Sequence, residues 1–281
     1  HLQEAGATPV QELAYALCTA SAILDAVRAS GQISPERFAE VVGRISFFVN
    51  AGIRFVEETC KLRAFGRMWD SLVRQRYGVE NPKQRLFRYG VQVNSLGLTE
   101  SQPENNVQRI VLEMLAVTLS KNARARAIQL PAWNEALGLP RALDEQWALR
   151  MQQVLALETD LLEYGDLLDG SPVVEAKVQE LIAGATQEMA RVEAHGGMVA
   201  CIESGYVKRE LVQSHTRRMR AIESGALHIV GVNCYQETAE SPLTGAGNSG
   251  IMKVDAQAEH EQIKALHTFR ASREQNKVDA A

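Results

Sequence analysis

The sequence is poor in the features that mark several protein classes. Its four cysteines lie far apart, with no CxxC pair or other metal-ligand spacing, so reduced thiols in a cytoplasmic protein are the expectation. No run of about 18 apolar residues indicates a membrane span. Basic residues are not in excess either, because 30 Lys and Arg stand against 34 Asp and Glu. Nucleic acid and anionic membranes are therefore not predicted as main partners.

What the chain does have is the composition of an ordinary globular protein, 46% hydrophobic and 23% charged. In residues 1–140, β-rich runs alternate with helical patterns. The predicted strands are RISFFVN (44–50), RYGVQVN (88–94) and ARAIQLPAW (125–133), and the predicted helices cover 8–29, a short stretch after Ser34-Pro35, 51–77 and 103–120. This alternation predicts parallel strands joined by crossover helices, about half of a (β/α)8 barrel.

The second part of the chain has a different pattern. Residues 141–236 are predicted to be mainly helical, and a Gly/Ser/Pro/Thr-rich stretch in 237–281 reads as a linker. An open half barrel would leave two strand edges unpaired, so we expect poor solubility unless a partner covers them.

Several longer motifs carry a family resemblance. They are HLQEAGAT, RISFF, CKLRAFGRMWDSL, VQVNSLGLTESQPENNVQRIVLEMLAV, NEALGLP and VGVNCY. Their order and spacing resemble those of adenosylcobalamin-dependent acyl-CoA mutases, the methylmalonyl-CoA mutase family. Two segments are most similar in sequence to the ethylmalonyl-CoA mutase branch: VNSLGLTESQPENN and SKNARARAIQLPAWNEALGLPR.

The resemblance implies a domain organisation. Residues 1–140 would form the C-terminal half of a TIM-type barrel that binds acyl-CoA and the adenosyl group. Residues 141–236 would complete the catalytic domain, and 237–281 would lead to a cobalamin domain. The first barrel half and the Asp-x-His-x-x-Gly cobalt-ligand motif are expected outside this chain, in cis or in trans. The chain alone should then be inactive, and the full enzyme should be a homodimer.

The resemblance also implies site residues near the cofactor. His1 matches the catalytic histidine that hydrogen-bonds the thioester carbonyl, and Glu4 matches a supporting glutamate beside it. Gln92 and Glu135 match residues that hold the adenosyl ribose. Ser95 stands where methylmalonyl-type members have a glycine near the adenosyl group. No metal ligand is implied within this chain.

Two further residues match a coenzyme A contact. Arg44 and Ser46 correspond to an arginine and a serine that bind coenzyme A, and a guanidinium fork suits phosphate oxygens. Without the resemblance, Arg44 would be a surface partner of Glu40, one turn back. Gln92 would be a satisfied polar residue at a strand end, and Glu135 a carboxylate favourable to a helix dipole.

The implied reaction is a radical rearrangement of ethylmalonyl-CoA to methylsuccinyl-CoA. Methylmalonyl-CoA to succinyl-CoA is the nearest alternative, and rearrangement of 2-hydroxyisobutyryl-CoA is a more distant one. A catalytically silent fragment, an interaction module, or one subunit of a split mutase also fits the helical second part and the motifs not found here.

Overall fold

A computed structural model describes residues 2–123, 125–239, 241 and 250–280. The strands are β1 (Phe47–Ala51), β2 (Tyr89–Val93) and β3 (Ala127–Gln129). The helices are α1 (Pro9–Ala29), α2 (Pro35–Val42), α3 (Phe55–Tyr77), α4 (Asn105–Thr118), α5 (Ala142–Leu157), α6 (Pro172–Ala194), α7 (Gly197–Glu203), α8 (Tyr206–Glu223), α9 (Ala256–Ser272) and α10 (Gln275–Asp279). Short 3-10 helices occupy Ser95–Gly97 and Leu161–Glu163.

Helix α1 begins where the sequence predicts it. The Gln11 backbone N–H donates to Thr8 Oγ1 at 3.2 Å, and the Thr8 backbone N–H donates to Gln11 Oε1 at 3.0 Å. Pro9 occupies the first turn, where its missing N–H leaves no bond unmade. These two reciprocal bonds form a capping box.

The three strands form a parallel sheet in the order β1-β2-β3. Position 92 of β2 lies between Asn50 of β1 and Gln129 of β3. Parallel strands with intervening helices are thus confirmed. Within the described residues the fold is mixed α/β and mostly helical, with a small parallel sheet. Its extension to a half barrel stays a prediction.

All three strands are shorter than predicted, and β2 lacks one residue at each end of the predicted 88–94. Strand β1 begins only at Phe47, because the N–H groups of Arg44 and Ile45 turn back to carbonyls at the end of α2. Strand β3 ends at Gln129 and not at position 133. Pro131 follows closely and has no N–H to give to a ladder, which accounts for the early end.

The helices cover one face of the sheet. Val49, Tyr89 and Val91 point into the main hydrophobic core, which also contains residues of α1, α3 and α6. Because side chains alternate along a strand, the neighbouring positions point to the other face. There Phe48 is 45% exposed, and Gln129 is exposed. Part of this second face is therefore open to solvent.

The core joins both parts of the chain. Helix α6 packs against α1 and α3, and α7 contacts α1, α6 and α8. The Tyr15 hydroxyl of α1 donates to Glu188 Oε1 of α6 at 2.8 Å.

By length and composition α1 is the one helix in the described ranges that could cross a membrane, and half of its most apolar 18-residue stretch is buried. Its packing against α3 and α6 is typical of a core helix.

A buried ionic cluster closes the outer edge of β1. We call Glu12, Glu58 and Lys61 the Lys61 cluster. Lys61 Nζ donates to the Asn50 carbonyl at 2.7 Å and lies 2.5 Å from Glu58 Oε2. It also pairs with Glu12, whose Oε1 accepts the Asn50 backbone N–H at 2.9 Å. The Ala51 carbonyl accepts a hydrogen bond from the Asn94 N–H, on the β2 side of β1. Because successive residues of a strand direct their backbone groups to opposite edges, the N–H and carbonyl of Asn50 face away from β2. The cluster therefore satisfies edge groups that lack a strand partner.

Burial and charge oppose each other in the Lys61 cluster. Burial lowers the pKa of Lys61, but the carboxylates of Glu12 and Glu58 outweigh it, so the net pKa shift is upward. Burial raises the pKa of Glu12, and the attraction of Lys61 offsets only part of that rise. The ammonium group therefore stays charged and is the feature on which both carboxylates depend.

We expect Lys61→Met to lower the free energy of unfolding by about 3–5 kcal/mol, because two buried carboxylates lose their counter-charge. Urea unfolding followed by circular dichroism measures the change. The matched control is Lys277→Met, since Lys277 is 78% exposed in its pair with Glu274. The control should change stability by less than about 1 kcal/mol. Equal effects of the two variants would contradict the role given to the cluster.

Candidate functional site

Three of the predicted site residues meet at the carboxyl end of β2. Gln92 lies near the end of that strand, Ser95 lies in the 3-10 helix after it, and Glu4 lies in the turn before α1. Gln92 Nε2 donates to Glu4 Oε1 at 3.2 Å. The Ser95 hydroxyl donates to the same oxygen at 3.3 Å. Residues about 90 positions apart in sequence thus form one group, which we call the Glu4 site.

Glu135 joins this group from the segment after β3. The Ser95 hydroxyl lies beside its carboxyl while donating its proton to Glu4. Burial raises the pKa of Glu135, the neighbouring Ser95 hydroxyl lowers it, and the nearby carboxylates of Glu4 and Glu145 raise it further. A hydroxyl has one proton to donate, so Ser95 cannot satisfy two carboxylates at once. The Glu4 site is therefore rich in acceptors and suits a ligand that donates several hydrogen bonds.

Arg44 and Ser46 lie elsewhere. Both are exposed and precede β1, at the opposite end of the sheet from the Glu4 site. A five-residue strand separates the two places by roughly 15 Å. Glu40 contacts Arg37 at 3.7 Å, so the surface pair considered for Arg44 is not the one that forms.

His1, predicted as the catalytic residue, lies outside the described residues.

Sequence reasoning missed the residues that hold the Glu4 site. Asn94 Oδ1 accepts the Leu96 backbone N–H at 2.7 Å and so shapes the 3-10 helix that carries Ser95. Asn94 Nδ2 in turn donates to Gln3 Oε1 at 3.3 Å. An asparagine directly after a strand is a common turn signal and was available in the sequence. Gln3 gives no comparable local signal.

Asp144 holds the segment that carries Glu135. Its carboxylate accepts the Trp133 indole N–H and the Asn134 amide, both at 2.8 Å. It also accepts the Arg141 backbone N–H at 2.8 Å and the Arg141 guanidinium. Burial favours the neutral acid, but these donors outweigh it and hold the pKa of Asp144 well below its usual range. The anchor fixes both ends of the turn around Glu135.

Asp144→Ala should lower the free energy of unfolding by about 3 kcal/mol, because buried donors of Trp133 and Asn134 lose their acceptor. It should also speed amide exchange in residues 133–141, which hydrogen exchange with mass spectrometry resolves. Asp279→Ala, at an exposed aspartate of α10, is the matched control and should leave both quantities unchanged. Unaltered exchange in 133–141 of the Asp144 variant would show that Glu135 is held by other contacts.

A buried acid lies beneath the 3-10 helix. Glu113 of α4 is 1% exposed, and its Oε1 lies where a side chain on Gly97 would contact it, at 3.5 Å. Its Oε2 has no hydrogen-bond partner among the described residues. Burial raises the pKa of Glu113 to about 9, Glu58 adds to the rise, and Arg109 opposes it. The carboxyl is therefore protonated at neutral pH.

A folded-state pKa above the unfolded value ties stability to pH. The contribution of Glu113 is fully present below its ordinary pKa of 4.5 and is lost as the pH rises toward about 9. Glu113→Gln keeps the shape and removes the titration. We expect the stability of the variant relative to the parent chain to increase from pH 5 to pH 9 in urea unfolding. A constant difference across this range would contradict a buried neutral Glu113.

Comparison with known proteins gives the family. The chain matches the methylmalonyl-CoA mutase family model over residues 1–281. The chain belongs to this family. It is 59% identical over all 281 residues to ethylmalonyl-CoA mutase of Cereibacter sphaeroides and 57% identical to that of Methylorubrum extorquens. It covers 42% and 41% of those proteins, so it spans about two fifths of their length.

Methylmalonyl-CoA mutases are more distant relatives. The methylmalonyl-CoA mutase of Cereibacter sphaeroides is 34% identical over the whole chain, which covers 38% of that protein. The family resemblance predicted from the motifs is thus confirmed. Its members include the isomerases named as ethylmalonyl-CoA and methylmalonyl-CoA mutases.

Proposed function

We propose that this chain supplies the adenosyl-binding part of an adenosylcobalamin-dependent mutase that converts ethylmalonyl-CoA to methylsuccinyl-CoA. The observation that carries the proposal is the convergence of Glu4, Gln92, Ser95 and Glu135 at one sheet end. The choice of substrate rests on identity, which is 59% and 57% to ethylmalonyl-CoA mutases against 34% to a methylmalonyl-CoA mutase.

The hydrogen-bond acceptors of the Glu4 site fit a ribose. Two carboxylates and an amide oxygen accept hydrogen bonds, and the two ribose hydroxyls donate them. Gln92 and Glu135 would hold those hydroxyls, Ser95 would orient Glu135, and Glu4 would support Gln92. When bound, adenosylcobalamin supplies the radical that starts the rearrangement. The side chains of this chain bind and orient the groups that react.

Other roles follow from the family alone. His1 would donate a hydrogen bond to the thioester carbonyl and favour charge that develops there. Arg44 and Ser46 would contact coenzyme A at the far end of β1. Their exposure on that side is compatible with a long ligand that reaches both ends of the sheet.

The remaining mutase would cover the exposed apolar surfaces. Phe48, 45% exposed on the face of the sheet away from the helices, is one such surface. A second is an apolar groove of about 420 Å³ between α4 and α5, lined by Val107, Met114, Trp147 and Leu155, among others. The first barrel half and a cobalamin domain, in cis or in trans, are the proposed partners, and the complete enzyme would be a homodimer. By itself the chain should be inactive.

A chimera tests the proposal. The 281 residues replace the matching segment of Cereibacter sphaeroides ethylmalonyl-CoA mutase, to which they are 59% identical. With adenosylcobalamin and ethylmalonyl-CoA, we expect methylsuccinyl-CoA, separated from its isomer by liquid chromatography. Gln92→Ala and Glu135→Ala should each lower kcat/KM about tenfold or more, the effect of a lost hydrogen bond of about 1.4 kcal/mol. The exposed Gln32→Ala is the control.

The outcomes separate the alternatives. Conversion of methylmalonyl-CoA to succinyl-CoA in place of the ethylmalonyl reaction would replace the proposed substrate. A folded chimera that binds cofactor and turns over neither substrate would favour a catalytically silent segment. Full activity of both the Gln92 and Glu135 variants would remove the Glu4 site from the proposal.

A further inference from the structure

A continuous buried hydrogen-bond chain links the Lys61 cluster to the Glu4 site. Lys61 holds Glu58 at 2.5 Å, and both oxygens of Glu58 accept Gln3 Nε2, at 2.9 and 3.2 Å. Gln3 Oε1 then accepts Asn94 Nδ2 at 3.3 Å. All of these side chains are buried, so water does not compete for the bonds.

This series of hydrogen bonds connects the two segments that carry the site. Gln3 directly precedes Glu4, and Asn94 directly precedes Ser95. The turn of Gln3 is closed locally by the Gly6 N–H, which donates to the Gln3 carbonyl at 2.8 Å. Its side chain bridges that turn to both Glu58 and Asn94. The Gln3 amide therefore supports the placement of Glu4 beside Ser95 from beneath, in addition to the direct Ser95–Glu4 hydrogen bond.

We propose that Gln3 is a positioning residue of the Glu4 site, oriented by the charged pair Glu58–Lys61. This inference rests on the proposed function and extends it to a residue that contacts no reacting group. The position calls for a side chain that donates and accepts hydrogen bonds at once, as an amide does. The N–H₂ group of Gln3 faces the Glu58 carboxylate, and its oxygen faces the Asn94 amide.

The test exploits that polarity. Gln3→Glu keeps the size and the acceptor for Asn94 but sets a carboxylate against Glu58. Adding Glu58→Gln restores a donor opposite the new carboxylate, and Lys61 keeps its pair with Glu12. In the chimera, Gln3→Glu should lower kcat about tenfold, and the double variant should recover most of it. Glu58→Gln alone completes the cycle, and the exposed Gln32→Glu is the control for added charge.

A second readout does not require turnover. In the 281-residue chain, Gln3→Glu should speed exchange of the Gly6 and Ala7 amides about tenfold, because they close the turn of Gln3. The double variant should return the rate toward that of the parent. A generally destabilised protein would instead exchange faster throughout the chain.

The result that overturns the inference is specific. If Gln3→Glu leaves turnover and turn exchange within twofold of the parent, or if Glu58→Gln brings no recovery, Gln3 does not position the site. An unsubstituted chimera without turnover would count against the proposed function only. The exchange experiment then decides the role of Gln3 by itself.

Discussion

The burial of the Lys61 ammonium between two carboxylates is the constraint around which the structure is organised. One charge, fully removed from water, joins α1, α3 and the edge of β1. Such a cluster adds little net stability compared with apolar packing, but losing one member leaves uncompensated charge. Its value lies in geometry, because the bonds to the Asn50 backbone can form in only one register.

The same cluster explains how a short parallel sheet tolerates an open edge. Parallel sheets normally depend on cover from both neighbours and helices, and an exposed edge invites pairing with other chains. Here the side chains of Glu12 and Lys61 take the place of a strand at Asn50. On the face of the sheet away from the helices Phe48 is 45% exposed, so that face is more open to solvent than the helix side.

The Glu4 site lies at the carboxyl ends of the strands, and buried hydrogen bonds hold the segments that carry it. Asp144 holds the Glu135 segment, and Gln3 connects the Glu4 turn to Asn94. Glu113 lies beneath the 3-10 helix as a neutral acid. Two hydrogen-bonded anchors, Asp144 and Gln3, thus support the four side chains of the site. Arg44 and Ser46 share none of these anchors and belong to a different surface.

The sequence by itself determined the local elements, the parallel alternation and, through its motifs, the family. The capping box at Thr8 acts within a few residues, so its effect is readable without a fold. Pro131 acts as locally, yet the predicted strand ran past it to position 133. The sequence did not reveal the Lys61 cluster, the Asp144 anchor or Gln3. Charged residues inside helical patterns look like solvated faces until packing decides which face is covered. Only the tertiary structure brought distant chain segments together, and burial then turned ordinary polar side chains into the supports of a site.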